Sequence, residues 1–359
     1  MKILYVITGL GQGGAERVVC DLADEMYARG NDIKIAYLTG DILTRPIHKE
    51  IELIKINLNS IISFPFAYLV LSRIIRNYNP DIVHAHMIHA NLLTRLIRLT
   101  TPFRRLVCTA HSANEGGRFR MLFYRITHNL SDVTTNVSNF ASNAYIEKMA
   151  VPRNDIITVY NGINFNKFKY DELAKKNIQI EFDINTETQI LLAVGRFHSA
   201  KNYFNLINAF KILKEKYSKH FCLLIVGDGE LRPQLEKLIV DLDLIGDIFL
   251  LGRRSDIAKL MSACDVFVLS SDYEGLPTVL IEALACQAHV VSTDVSGARE
   301  IIKDFGSIVE IKNPQALAQA IYERASNKLS KNYEGSNFVR NKFNLDEIVE
   351  KWNLIYNEK

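Results

Sequence analysis

A chain of 359 residues is too long for one ordinary α/β core, so two domains of similar size are expected. Its 48% hydrophobic and 23% charged residues are those of a folded globular protein and exclude disorder in the body of the chain. A net charge of +3 is too small for nucleic acid to be the main partner.

Lys2–Thr8 predicts a strand, the loop GLGQGGAE follows, and 17–29 has helical periodicity up to the stop signal Gly30. The run 33–39 is the next strand. Gly9, Gly11 and Gly14 have GxGxxG spacing, with Asp41 beyond the second strand, as in dinucleotide-binding proteins. A glycine-rich turn also serves other phosphate ligands or the close approach of another domain, so it does not identify NAD. The opening strand reaches glycine too soon for a signal peptide. The greasy run 61–71 is broken by Pro65 and falls short of the roughly 20 residues that span a bilayer.

Residues 53–58 suggest a strand, 65–78 a helix with a basic end, and DIVHAHMIHAN a strand ending in His84, His86 and His89. No acidic or cysteine ligand adjoins these histidines, so residues lining a cleft are favoured over a metal site. Next, Arg95, Arg98, Arg104, Arg105, Arg118, Arg120 and Arg125 crowd a segment whose one acid is Glu115, interleaved with Phe119, Leu122 and Phe123. Contact with an anionic membrane face or a diphosphate-linked lipid is favoured, narrowly, over solvated arginines above an ordinary core. Strands 106–110 and 132–137 end at His111 and Ser138, the edge where open α/β sheets place their sites. The turn YNGIN, 160–164, and the polar segment 166–188 mark a change of composition. The five cysteines, Cys20, Cys108, Cys222, Cys264 and Cys286, show no metal-ligand or paired spacing and read as reduced packing residues of a cytosolic protein.

Strand and helix alternation then restarts. Runs at 189–194, 221–226, 248–251, 265–269 and 289–293 predict a second doubly wound parallel sheet, their loops falling on one edge. GRFHSAKN follows the first run, GDGE the second and GRRSDI the third. Asp241 and Asp243, a DxD, read as surface charge. After DVFVL the chain reads SSDYEGLPTVLIEAL. Pro277 suits the first turn of a helix, and the backbone N–H groups near 275–279 suit an anion. Glu274 and Glu282 would lie at different depths along one elongated ligand, the helix rising ~7 Å between Pro277 and Glu282. A helix end for phosphate with two hydroxyl-accepting carboxylates suits a nucleotide sugar. The last segment, 345–356, is a helical pattern carrying Trp352.

GGAER, the strand-end His111, YNGIN, GRFHSAKN, GDGE, LGRRSDI and above all Glu274-GLPTVLI-Glu282, an E-x7-E pattern, together resemble the retaining GT-B glycosyltransferases of family 4, also called glycosyl transferases group 1. The resemblance covers almost the whole chain. It implies two Rossmann-like doubly wound parallel-sheet domains facing a cleft. Residues 1–165 would form the acceptor-side domain, 166–340 the nucleotide-sugar-binding domain, and 341–359 a helix packing back toward the first. Arg196 and Lys201 match the cations that neutralise the donor diphosphate. Glu274 matches the carboxylate near the transferred sugar's hydroxyls, and Glu282 the one that binds the ribose. Gly275, Leu276, Pro277 and Thr278 match the backbone cradle near sugar and phosphate. Gly13 and Gly14 match the loop that closes on the donor, His111 a residue beside the reacting sugar, and Arg253 a position bordering the base. Glu274, His111, Arg196 and Lys201 are thereby the candidate catalytic groups.

The expectation is a hexosyltransferase that moves a hexose or N-acetylhexosamine from a nucleotide sugar, with UDP the expected carrier, to a glycan or lipid-linked saccharide in surface polysaccharide biosynthesis. No metal or other cofactor is expected, because fixed cations and helix N–H groups stabilise the leaving diphosphate. Retention by front-face displacement is what the resemblance implies. The expected location is cytoplasmic, peripheral on the inner membrane face if the basic segment contacts lipid. A non-catalytic nucleotide-sugar-binding protein and, behind it, an NAD-dependent oxidoreductase are the alternatives.

Overall fold

The computed structural model describes residues 1–11, 13–113, 116–217, 220–326 and 331–358, and only the backbone of Ile61 and Arg118. Gln12 of the first glycine loop, Glu115, and the side chain of Arg118 therefore lie outside the described residues. The chain divides into two compact units, Met1–Gly162 with Leu345–Lys359, and Ile163–Asn344. Sequence reading put the divides at 165/166 and 340/341; residues 341–342 instead end the helix Tyr333–Lys342 of the second unit.

The first unit contains strands β1 (Lys2–Gly9), β2 (Asp32–Thr39), β3 (Glu52–Lys55), β4 (Ile82–His86), β5 (Arg105–Ala110), β6 (Val133–Asn136) and β7 (Ile156–Thr158). They form one parallel sheet in the order β3-β2-β1-β4-β5-β6-β7. Ile3, Leu4, Tyr5, Val6 and Ile7 are all fully buried, because helices cover both faces. Tyr5 and Ile7 join a cluster with Trp352, while Leu4 and Val6 join the cluster on the opposite face, as the two-residue period of a strand requires. The terminal helix Leu345–Asn357 supplies Leu345, Val349, Trp352 and Ile355 to the first of these clusters. Gly162 of YNGIN permits that docking: a β-carbon there would lie 2.7 Å from the Leu345 Cα.

The second unit contains β8 (Gln189–Val194), β9 (Phe221–Val226), β10 (Ile248–Leu250), β11 (Val266–Leu269), β12 (His289–Thr293) and β13 (Gly306–Val309), parallel in the order β10-β9-β8-β11-β12-β13. β13, a short glycine-led strand, was not foreseen. In both sheets the order reverses at one place, between β1 and β4 and between β8 and β11, and ligands of such sheets bind outside the carboxyl ends there.

Two expectations are corrected. Arg95 is not part of a basic surface but fully buried. It donates to the Tyr124 carbonyl, to Thr127 Oγ1 and, at 3.0 Å, to Thr134 Oγ1, and its guanidinium lies 4.9 Å from the Tyr124 ring centre. Nor does His84 line a cleft, being buried in the sheet, whereas His86, also buried, borders a small crevice with His111, and His89, on the exposed side of the next helix, Ile88–Ile97, lines a cavity with Thr8 and Phe64 as expected. The five cysteines are free and buried, and burial pushes the thiols of Cys20, Cys222, Cys264 and Cys286 up to about 12. Among the described residues no helix is long and apolar enough to cross a membrane, and no cluster of His, Cys, Asp and Glu could hold a metal ion.

Candidate active site

Within the second unit, the loops that leave β8 and β11 meet across the switch point. After β8 a short 3-10 turn, Ser199–Lys201, leads to Asn202, whose left-handed backbone (φ 43°) and side chain cap the helix Tyr203–Lys216. Asn202 Nδ2 donates to Asp272 Oδ1 at 2.7 Å, the Asp272 N–H donates to the Ala200 carbonyl at 2.8 Å, and Ser270 Oγ donates to the Lys201 carbonyl at 2.9 Å. This lacing holds Lys201 Nζ at 2.6 Å from Glu274 Oε1. Ser271 Oγ donates to the same oxygen at 2.7 Å. The two side chains of the ion pair are only 21% and 15% exposed, so the carboxylate is fixed in direction as well as place. Both bonds end on Oε1, which leaves Oε2 to accept from a ligand hydroxyl. Beneath it, Tyr203 donates to the Gly195 carbonyl, and burial, followed by the nearby Glu274 charge, pushes its phenol far up.

Arg196 lies on the same loop, its guanidinium 3.1 Å from Glu230 of the GDGE turn. Gly227 lets these turns stack: a β-carbon would come within 1.9 Å of the Gly195 carbonyl oxygen, and its φ is +148°. Gly275–Pro277 is braced from below. Ser296 Oγ donates to the Gly275 carbonyl at 3.0 Å, and Gly297 (φ 76°) leaves no room for a β-carbon under Leu276 and Pro277. The helix begins at Thr278, with Pro277 as its cap rather than its first residue. Glu282 is half-buried on that helix, and Arg253 is exposed in the turn after β10. Asp241 and Asp243 are exposed at the end of the helix Arg232–Asp241, away from these loops.

The structure thus gathers Arg196, Lys201, Glu274, Gly275, Leu276, Pro277 and Thr278 on the carboxyl edge of the second sheet. Sequence reading missed Ser271, Tyr203 and the Glu230 partner of Arg196. The Ser-Ser pair before Asp272 was the available signal for the first; nothing local pointed to the phenol.

In the first unit, Gly13 caps the helix Gly14–Ala28 in extended conformation, with the Glu16 carboxylate folded over it. His111, at the end of β5, belongs to a chain of rings. His86 Nδ1 is 3.0 Å from His111 Nε2, and the rings of His84 and His86 lie 3.9 Å apart. His84 bonds Tyr356 Oη and Thr109 Oγ1, each at 2.7 Å. Burial lowers all three imidazoles, that of His111 to about 4. The unfolded chain holds its histidine protons up to about pH 6.5. Between pH 6.5 and 4 it therefore binds more protons than the folded chain. Stability of the first unit should be full above pH 6.5 and fall as the pH drops through this window. Thermal melts at intervals from pH 7.5 to pH 4 check this, and a melting temperature flat across the window contradicts it.

Two parallel-sheet α/β units carrying such a carboxyl-edge site define the GT-B class, and solved glycosyltransferases share the fold. A glycosyltransferase from Rickettsia africae superposes with a TM-score of 0.86 over 99% of this chain and 97% of its own, at 24% identity. HepE of Anabaena, solved with UDP and glucose, superposes at 0.84 over 99% of each chain, at 19% identity. Residues 12–167 match glycosyltransferase family 4 and residues 174–337 match the glycosyl transferases group 1. N-acetylgalactosamine-N,N'-diacetylbacillosaminyl-diphospho-undecaprenol 4-alpha-N-acetylgalactosaminyltransferase of Campylobacter jejuni is 30% identical over 95% of each chain. N-acetyl-alpha-D-glucosaminyl L-malate synthase of Bacillus anthracis is 27% identical over 96% of this chain and 93% of its own. The chain belongs to the family 4 glycosyltransferases. It is an enzyme, a transferase.

Proposed function

We propose that this enzyme transfers a hexose or N-acetylhexosamine, with retention, from a UDP-sugar to a saccharide carried on a lipid diphosphate, as a step of surface polysaccharide assembly. The fixed carboxylate of Glu274 carries this reading. With Oε1 tied to Lys201 and Ser271, Oε2 is aimed to accept from hydroxyls of the transferred sugar. When the glycosidic bond breaks, charge moves onto the leaving diphosphate. Lys201, Arg196 and the N–H groups of Gly275 and Leu276 are preplaced donors for that charge, while the Thr278 N–H is held by the Leu276 carbonyl at 2.9 Å, so these groups stabilise the transition state more than the bound donor. Glu282, further along the helix, is assigned to the ribose, and Arg253 to the base. His111 is assigned to the sugar side. No protein nucleophile is assigned, and the leaving phosphate oxygen takes the acceptor proton on the same face. No metal is assigned a role.

UDP is supported by HepE, which was solved with UDP and glucose, and the lipid diphosphate by the C. jejuni relative, whose acceptor is linked to diphospho-undecaprenol. The malate synthase relative makes a small soluble acceptor the competing reading. The helix Arg118–Thr127 favours the lipid. Phe119, Leu122, Phe123 and Ile126 recur at i, i+3, i+4 and i+7 and are 81%, 50%, 56% and 67% exposed, while Met121 and Tyr124 anchor the opposite face. Arg120 and Arg125 flank the stripe. An apolar stripe turned to water and edged by cations suits an anionic bilayer surface. Phe119→Asp with Phe123→Asp is expected to cut binding to phosphatidylglycerol vesicles at least tenfold in sedimentation assays; unchanged binding removes the membrane contact.

The donor assignment is tested by calorimetry. Arg196→Ala with Lys201→Ala should weaken UDP binding by at least tenfold, since each charge-assisted contact contributes about 1.5–3 kcal/mol. Binding of NAD in place of UDP, or UDP binding indifferent to both substitutions, contradicts it.

A further inference from the structure

Two buried imidazoles of the first unit, His84 and His86, have no part in the chemistry proposed above. His86 ends β4 and pairs with Thr109 across the parallel ladder, so His111, two residues past Thr109, falls on the same side of the sheet, its ring centre 5.3 Å from that of His86. Packing fixes the plane of the His86 ring. His84 is clamped between Tyr356 Oη and Thr109 Oγ1 and lies 4.6 Å from the Trp352 ring centre, and His86 rests against it at 3.9 Å, with Tyr5 at 5.9 Å. The terminal helix therefore sets the direction of His86 through His84.

The hydrogen bond between His86 Nδ1 and His111 Nε2, 3.0 Å long, joins one N–H to one lone pair. Burial keeps both rings neutral, so each carries a single N–H, and two arrangements satisfy the bond. If His111 donated, the proton of His86 would stand on Nε2, which is buried and has no hydrogen-bond partner among the described residues. A buried N–H without an acceptor is among the rarest defects of a folded protein. Water is a poor substitute there. The crevice beside the ring measures about 10 Å³, the lower limit for one water, and is walled mainly by Val18, Leu22, Val137, Ile348 and Trp352. If His86 donates instead, its Nε2 bears only a lone pair, the lesser defect, and its one N–H is used.

We propose that His86 is a positioning residue for the transfer reaction: by donating from Nδ1 to His111 Nε2 it fixes His111 in the tautomer protonated on Nδ1 and so makes that ring a hydrogen-bond donor toward the transferred sugar. The nitrogen that carries the proton of an imidazole is set by the bond its other nitrogen makes. A ring able to exchange tautomers would present the donor for part of the time, whereas a fixed one presents it always and needs no reorganisation as the reaction proceeds. The proposal rests on the assignment of His111 to the sugar side and adds the residue that prepares it.

Ring-nitrogen NMR of the full chain at neutral pH, with isotope-labelled histidine, tests it directly. The His111 signals, assigned by their loss in His111→Phe, are expected to show a protonated Nδ1 and a bare Nε2; a protonated Nε2 in wild type overturns the proposal without further variants. His86→Leu should let both tautomers appear and lower kcat about tenfold, because the ring loses its fixed tautomer and its orientation, while UDP binding is unchanged. His86→Asn, whose amide N–H can stand where the Nδ1–H stood, should restore the single tautomer and most of the rate. A His86→Leu variant as fast as wild type, or a His86→Asn variant with mixed tautomers and no gain in rate, overturns the proposal. Should His86→Leu fail to fold, the wild-type tautomer and His86→Asn still decide. His111→Phe separates the two readings: full activity there counts against placing His111 on the sugar side, whereas lost activity there with a fast His86→Leu counts against His86 alone.

Discussion

Replacing Glu274 with glutamine is expected to lower the rate of sugar transfer by about a hundred- to a thousandfold, the usual effect of removing one group that stabilises the transition state. The substitution keeps the shape of the side chain, and Ser271 and Lys201 can still donate to the amide oxygen in place of Oε1. What is lost is the charge that balances Lys201 and the accepting oxygen proposed to meet the sugar, where an amide N–H now stands. The melting temperature should move by only a few degrees, because the pair is reached by water at one end. Lys201→Met is the complementary test: it leaves Glu274 facing the donor diphosphate without its cation, and should raise the donor KM as well as lower kcat. Steady-state kinetics on both variants, with melts alongside, separate the two effects. Full activity in the glutamine variant contradicts the role of the carboxylate.

The largest effect on stability is expected from Gly227→Ala. Its β-carbon would stand 1.9 Å from the Gly195 carbonyl oxygen, and the φ of +148° is one that side chains rarely adopt. The obstacle is backbone, not the far end of a flexible side chain, so relief requires the GRFHSAKN and GDGE turns to part. Overpacking and backbone strain together cost about 2–5 kcal/mol. In a unit of this size that lowers the melting temperature by roughly 5–15 °C. The same displacement moves Arg196 away from Glu230, so UDP binding should weaken too. A melt indistinguishable from wild type would mean that the two turns are not stacked as described.

Much of the fold was legible because parallel strands buried on both faces write themselves as short apolar runs between glycine-rich turns. β13 escaped because Gly306–Val309 is short and begins with glycine. The carboxyl-edge cluster of the second unit was legible as residues but not as contacts: Lys201 and Glu274 are 73 positions apart, and only folding shows that they share a hydrogen bond. Arg95 misled because the run Leu92–Ile97 resembles a surface helix edge. What buries it are Tyr124, Thr127 and Thr134, which lie 29 to 39 positions further on. His84 misled for a related reason. It reads as a cleft-lining residue at a strand end, yet the terminal helix covers it, and Tyr356 reaches it from 272 positions away. Sequence spacing does not encode such distant cover. The apolar stripe of Arg118–Thr127 was present in the letters, but its outward direction was not.

The most direct test of the account is product analysis. Full-length protein would be incubated with UDP-glucose, UDP-galactose and their N-acetylated counterparts, and with N-acetylhexosamine linked to undecaprenyl diphosphate. Mass spectrometry should find the acceptor longer by one sugar from one of these donors, with UDP released in equal amount, and only a trace of product from the Glu274→Gln variant. UDP-sugars that bind yet leave every acceptor unextended, or a glutamine variant that extends them as fast as wild type, would contradict the account.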